Sequence, residues 1–97
     1  MQLFVTPLAE QDLEDIGDYI ALDNPSRAMT FVQELYEHCQ KICLNPDVYR
    51  RRPELADSIR SCAHGNYVIF FEATAVQVNI IRVLNGARDI SQPLDLE

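Results

Sequence analysis

No stretch of the 97 residues approaches the run of about 18 apolar positions that a membrane-spanning helix needs. The opening residues MQLFVTPLAE also lack a basic n-region, an apolar h-region and a small-residue cleavage site. The expectation is a cytoplasmic protein, neither exported nor membrane-inserted. Cysteine is scarce and odd in number, with Cys39, Cys43 and Cys62 only, which argues against a paired disulfide framework and suits a reducing compartment. Histidine is scarcer still. Cys39 and Cys43 share a helix face with His38 beside them, but His64 is the only other histidine, so a metal centre lacks its second pair of ligands at usable spacing. The thiols read as buried core residues, and neither a metal nor a cofactor is expected. Basic residues are few too: eight Lys and Arg against 15 Asp and Glu, a net charge of -7. A chain of that sign is repelled by nucleic acid at long range, so any phosphate contact has to be local.

The charge that is present is unevenly placed. Residues 1–49 carry nine acids against Arg27 and Lys41, whereas residues 50–88 carry six arginines against Glu54, Asp57 and Glu72. Four of the eight basic residues crowd into YRRRPELADSIR, residues 49–60. Such asymmetry points to two surfaces with different partners. Length and composition, 47% hydrophobic and 24% charged, fit one folded domain over residues 1–97.

QLFV reads as a short strand, ended by Thr6 as a helix cap and Pro7 in the first turn. Ala9, Leu13, Ile16 and Ile20 follow at helical spacing. LDNPSR breaks that helix, with Asn24 or Ser26 as the next cap, and Ala28, Phe31, Val32, Leu35, Cys39 and Ile42 continue the period to about residue 44. Two helices joined by so short a loop form an antiparallel hairpin. From Ser58 the pattern turns to strands: SIRSCA, NYVIFFEA and AVQVNIIRVL, separated by HGN and ATA. The fold class is therefore α+β: an N-terminal strand, a helical hairpin, then a three-strand antiparallel meander, all strands in one sheet with the helices on one face.

Strand parity makes this specific. If His64 pairs with Tyr67, Arg60 lies opposite Phe71; if Glu72 pairs with Gln77, Tyr67 lies opposite Arg82. Both arginines and the tyrosine then share one face, provided no bulge intervenes.

Three stretches in this order resemble a known family, the ParE toxins of the RelE/ParE superfamily of bacterial type II toxin–antitoxin systems. AEQDLEDIGDYIALDNPSRAMTFVQEL resembles the family's helical hairpin. NPDVYRRRPELADSIRSCAHGNYVIFFE resembles its basic loop, arginine-bearing strand and Tyr-initiated strand, and VNIIRVLNGARDI is similar to its closing I.RVLHGARDI. The resemblance implies a toxin that inhibits DNA gyrase by trapping its cleavage complex. It implies a ParD-like ribbon-helix-helix antitoxin as partner, operator DNA reached only through that antitoxin, and no membrane. Target contacts are then expected from Arg60, Tyr67, Arg82 and Arg88, and antitoxin contacts from Leu13, Ile16, Tyr19, Ile20 and Phe71.

The superfamily's other branch cuts messenger RNA on the ribosome, and such an enzyme would draw on Arg60, Arg82 and Arg51. RNA cleavage through the 2'-hydroxyl needs a general base and acid as well as cations. After Arg82 the chain has neither His nor Tyr, with Asn85 where many relatives carry His, and a guanidinium with pKa above about 12 is a poor base. The expectation is a non-enzymatic toxin without catalytic residues. The alternatives are the endoribonuclease and a non-toxic member retained for antitoxin binding and operon control. The arginines also have a structural reading, as partners of carboxylates such as Glu54, Glu72 or Asp89, with Arg50, Arg51 and Arg52 in a solvated loop.

Overall fold

The computed structural model describes residues 1–87. Strand β1 (Gln2–Val5) leads into helix α1 (Pro7–Ala21), which a tight turn joins to helix α2 (Pro25–Ile42). Thr6 and Asn24 cap the two helices: Thr6 Oγ1 accepts the Ala9 N–H at 3.3 Å and Asn24 Oδ1 accepts the Arg27 N–H at 3.1 Å. Each cap is followed by a proline at the first helical position, where the missing N–H has no partner to lose. Gly17 lets the helices close on each other, since a Cβ there would stand 3.3 Å from Val32 Cγ2.

A 3₁₀ turn at Pro46–Val48 ends the helical half. Strands β2 (Arg50–Arg51), β3 (Arg60–His64), β4 (Tyr67–Ala73) and β5 (Gln77–Asn85) complete one five-stranded sheet of order β1-β5-β4-β3-β2. β1 runs parallel to β5 and every other pairing is antiparallel. The expected class stands, with one addition: Arg50 and Arg51, read from sequence as part of a connection, form a two-residue edge strand on β3.

The first hairpin has the register that parity predicts, His64 opposite Tyr67 and Arg60 opposite Phe71. Its turn holds Gly65 at φ 58°, a backbone conformation that glycine adopts without steric cost. The second hairpin departs from prediction. Glu72 pairs with Asn79 rather than Gln77, because Thr74 to Gln77 form a wider turn in which Thr74 Oγ1 accepts the N–H groups of Val76 and Gln77. A bulge then places Phe70 opposite Arg82 and Phe71 opposite Ile80, leaving Ile81 as the extra residue. Tyr67 consequently faces Asn85, not Arg82.

The sheet separates two cores. Ala9, Leu13 and Ile16 of α1 and Leu35, Cys39 and Ile42 of α2 pack on Ile69, Phe71, Val78, Ile80 and Val83. On the opposite sheet face, Leu55 and Ile59 fold under Phe70, Ile81 and Leu84. Ile80 and Val83 both point toward the helices although three positions apart, which strict alternation forbids and the extra residue permits. No helix among the described residues is long and apolar enough to cross a membrane.

Candidate functional site

The sheet arginines occupy separate settings, each determined by the local chain path. β1 ends opposite Ile80, so from there on β5 has lost its edge neighbour just where α1 begins. Thr6 and Asp12 supply the missing partners. The Thr6 N–H donates to the Ile80 carbonyl at 3.1 Å, and Thr6 Oγ1 donates to the same carbonyl at 2.8 Å and to that of Ile81 at 3.2 Å. Asp12 Oδ2 accepts the Val83 N–H at 3.0 Å. The same carboxylate takes two bonds from Arg82, Nε to Oδ2 at 2.8 Å and Nη2 to Oδ1 at 2.9 Å. Only 16% of the Arg82 side chain and 10% of Asp12 remain exposed. A planar guanidinium paired in this two-pronged manner is held in a fixed orientation.

Arg60 is anchored elsewhere. Its Nη1 donates to the carbonyls of Tyr49 at 2.9 Å and Asp47 at 3.3 Å, and Nη2 lies 3.8 Å from Asp47 Oδ1. It thereby ties the 3₁₀ turn to β3. Tyr67 sits at the far end of the hairpin, four strand positions from Phe71 and so about 13 Å from the Arg60 pairing. It packs on Phe31 with ring centres 5.7 Å apart, and burial pushes its hydroxyl above the usual phenol range. Arg60, Tyr67 and Arg82 are therefore not gathered into one cluster. Arg88, the fourth expected target contact, lies outside the described residues.

The basic stretch divides by exposure. Arg52 lies against the second core: Nε meets Glu54 at 2.7 Å, Nη1 donates to Ser61 Oγ at 3.2 Å, and the guanidinium lies over the Phe70 ring at 5.5 Å. It serves structure rather than a solvated loop. Arg50 and Arg51 are exposed on the β2 edge, where Arg51 Nη2 donates to the Asp57 carbonyl at 3.4 Å.

Of the residues expected to meet an antitoxin, Leu13, Ile16 and Phe71 are core residues at 2%, 6% and 0% exposure, so no partner reaches them in this fold. The same helical periodicity that singled them out faces them toward the sheet. Ile20 is half-buried against the core. Tyr19 is open to solvent near the end of α1, as are Leu22 just after it and Met29 in the first turns of α2. Met29 lines a shallow groove of about 530 Å³ together with Gly17, Asp18, Ala21, Ala28 and Val32.

General acid–base groups are poorly placed. Burial lifts the Cys39 thiol to about 12 and the Cys62 thiol to about 11. Burial and a hydrogen bond to Glu10 lift the Tyr36 hydroxyl to about 12. His38 and His64 face each other, Nδ1 to Nδ1 at 2.8 Å, and His64 is at the opposite end of β3 from Arg60. Among the described residues no group of three His, Cys, Asp or Glu side chains is arranged to hold a metal ion.

Two of these features escaped sequence reasoning. Asp12 gave a faint signal: it stands three residues after Ala9 and four before Ile16, on the flank of an otherwise apolar stripe. The histidine pair gave none, being 26 positions apart.

Residues 3–90 match the family model described as "ParE toxin of type II toxin-antitoxin system, parDE". Among solved structures, a chain of "Chromosomal ParDE TA system from P. aeruginosa" has a similar fold, with a TM-score of 0.77 at 22% identity over 88% of this chain and 95% of that one. No curated protein sequence matches the chain.

Proposed function

Because the chain belongs to the ParE toxin family of parDE type II toxin–antitoxin systems, we propose that it acts in the cytoplasm on DNA gyrase, trapping the cleavage complex without catalysing a reaction of its own. The observation that carries this reading is the engagement of the sheet arginines. Two nitrogens of Arg82 are committed to Asp12 and Arg60 is bonded to backbone carbonyls. A ribonuclease needs those cations turned toward a phosphate with a base beside them, whereas a protein-binding toxin needs only a stable, complementary surface. The acidic net charge of -7 favours the same choice.

A ParD-like ribbon-helix-helix antitoxin neutralises the toxin by covering the hairpin tip. Tyr19, Leu22 and Met29 are 71%, 86% and 77% exposed and stand among Asp15, Asp18 and Asp23 of an acidic helix end. An amphipathic antitoxin segment with basic flanks fits that combination. Contact with gyrase falls to the basic β2 edge of the sheet, where Arg50 and Arg51 are accessible.

The deciding experiment incubates purified protein with gyrase and supercoiled DNA, and in parallel with ribosomes translating a defined message. Accumulated cleavage complexes with intact message are expected. Cut message without cleavage complexes would establish the endoribonuclease instead, and inactivity in both would assign the chain to antitoxin binding and operon control.

A further inference from the structure

We propose that His38 and His64 form a two-imidazole chelate for Zn(II) through their facing Nδ1 atoms, with water completing the coordination. His38 lies on α2 and His64 is the last residue of β3, so the ion would join the helical layer to the tip of the first hairpin. Their Nδ1 atoms are 2.8 Å apart and their ring centres 5.0 Å apart. Two lone pairs cannot approach so closely without something between them. In the metal-free pair one proton fills that place; a zinc ion about 2.0–2.1 Å from each nitrogen takes it once the two nitrogens turn a few tenths of an ångström further apart.

The spacing suits an ion. A zinc-bound imidazole nitrogen lies about 2.0–2.1 Å from the metal, which puts the ring centre roughly 3.2 Å away. Two rings with centres 5.0 Å apart then subtend roughly 100° at the ion, close to tetrahedral. The rings have only to turn in place, and the terminal torsion of a histidine is broad and soft. They need not separate, so the helix and the hairpin stay where they are.

The surroundings also fit. Cys62 Sγ lies 3.5 Å from His38 Nε2. If that nitrogen carries the proton toward sulfur, His38 Nδ1 is left as the free lone pair a metal requires, the usual task of an outer-shell partner. His64 then supplies the bridging proton in the metal-free pair. On binding, that proton moves to its own Nε2, so both ligands are neutral imidazoles and no net charge leaves the protein. Phe31 packs on the His64 ring with centres 5.4 Å apart and covers one side of it.

The test uses the full chain, stripped with a chelator and kept reduced, and titrated with zinc chloride by calorimetry. One ion per chain is expected, with a rise in melting temperature. His38→Gln and His64→Gln should each weaken binding at least tenfold, and the double variant should lose little more, since a chelate fails when either arm is removed. Nitrogen-15 spectra of the wild-type rings should show both Nδ1 signals moving on zinc addition, with His64 Nε2 passing from the unprotonated to the protonated range, which reads the site without any substitution. Cys43→Ser should bind as wild type. Unchanged affinity in either histidine variant, independent and additive losses, or unmoved Nδ1 signals would overturn the proposal.

Discussion

Asp12 and Arg82, 70 residues apart in sequence, meet through two hydrogen bonds of 2.8 and 2.9 Å over the point where β5 loses its edge strand. The same carboxylate closes the Val83 N–H, so one aspartate satisfies a guanidinium and an orphan backbone donor together. Asp12→Ala removes the two bonds to the guanidinium and the one to the Val83 N–H in a mostly buried place and should lower unfolding free energy by about 3 kcal/mol, the low end for breaking a buried pair. Arg82→Ala should also destabilise, so any loss of toxicity in that variant has to be corrected for the folded fraction. Urea denaturation of the two single variants and the double variant measures the coupling. Additive losses would mean the pair does not interact.

Arg52 and its neighbours should separate cleanly. Arg52→Ala loses a hydrogen bond to Ser61 and the cover over Phe70 and is expected to cost about 1–3 kcal/mol. Arg50→Ala and Arg51→Ala, on the exposed edge, should stay within about 0.5 kcal/mol of wild type yet weaken the gyrase interaction in a salt-dependent way. Equal gyrase inhibition by the double Arg50→Ala, Arg51→Ala variant would remove the β2 edge from the target surface.

The hairpin tip gives the antitoxin prediction. Replacing Tyr19, Leu22 and Met29 together by serine should leave the melting temperature nearly unchanged, because all three are solvent-exposed, while weakening the antitoxin complex by at least tenfold. Leu13→Ala should behave oppositely. It empties a site that is 2% exposed and should cost about 2–5 kcal/mol of stability. Undiminished antitoxin affinity in the triple variant would place the partner elsewhere.

Alkaline pH should find Cys39. Burial raises its thiol from 9.0 to about 12. A folded-state value above the unfolded one means that the native state holds its proton longer, so the stabilisation is complete below pH 9 and declines as pH rises toward 12. By pH 10 the loss from this group should reach about 1 kcal/mol. Urea midpoints at pH 7.5 and 10, compared between wild type and Cys39→Ala, isolate it: the variant should show the smaller drop. Identical drops would mean the thiol ionises alike in both states.

Much of this fold was readable from local pattern. The caps at Thr6 and Asn24, the two amphipathic helices and the first hairpin with its His64–Tyr67 register are all short-range consequences of residue type and spacing. Helical periodicity likewise placed Leu13 and Ile16 on one face, although it could not tell a core stripe from a docking stripe. Parity failed at the second hairpin because one additional residue, Ile81, reverses every side chain beyond it, and no residue near Ile81 announces a bulge.

Family, layer order and the caps of the two helices therefore belong to the sequence. Tertiary structure alone decided what the arginines do. In YRRRPELADSIR, Arg52 is drawn under the sheet by Phe70 and Ser61, Arg60 is held by the Asp47 and Tyr49 carbonyls, and Arg50 and Arg51 are left for solvent and partners. The physical reason is general to charged side chains. Helix and strand periods arise between near neighbours, but a cation leaves water only where the folded chain brings it an acceptor. For Arg82 that acceptor is Asp12, 70 positions away.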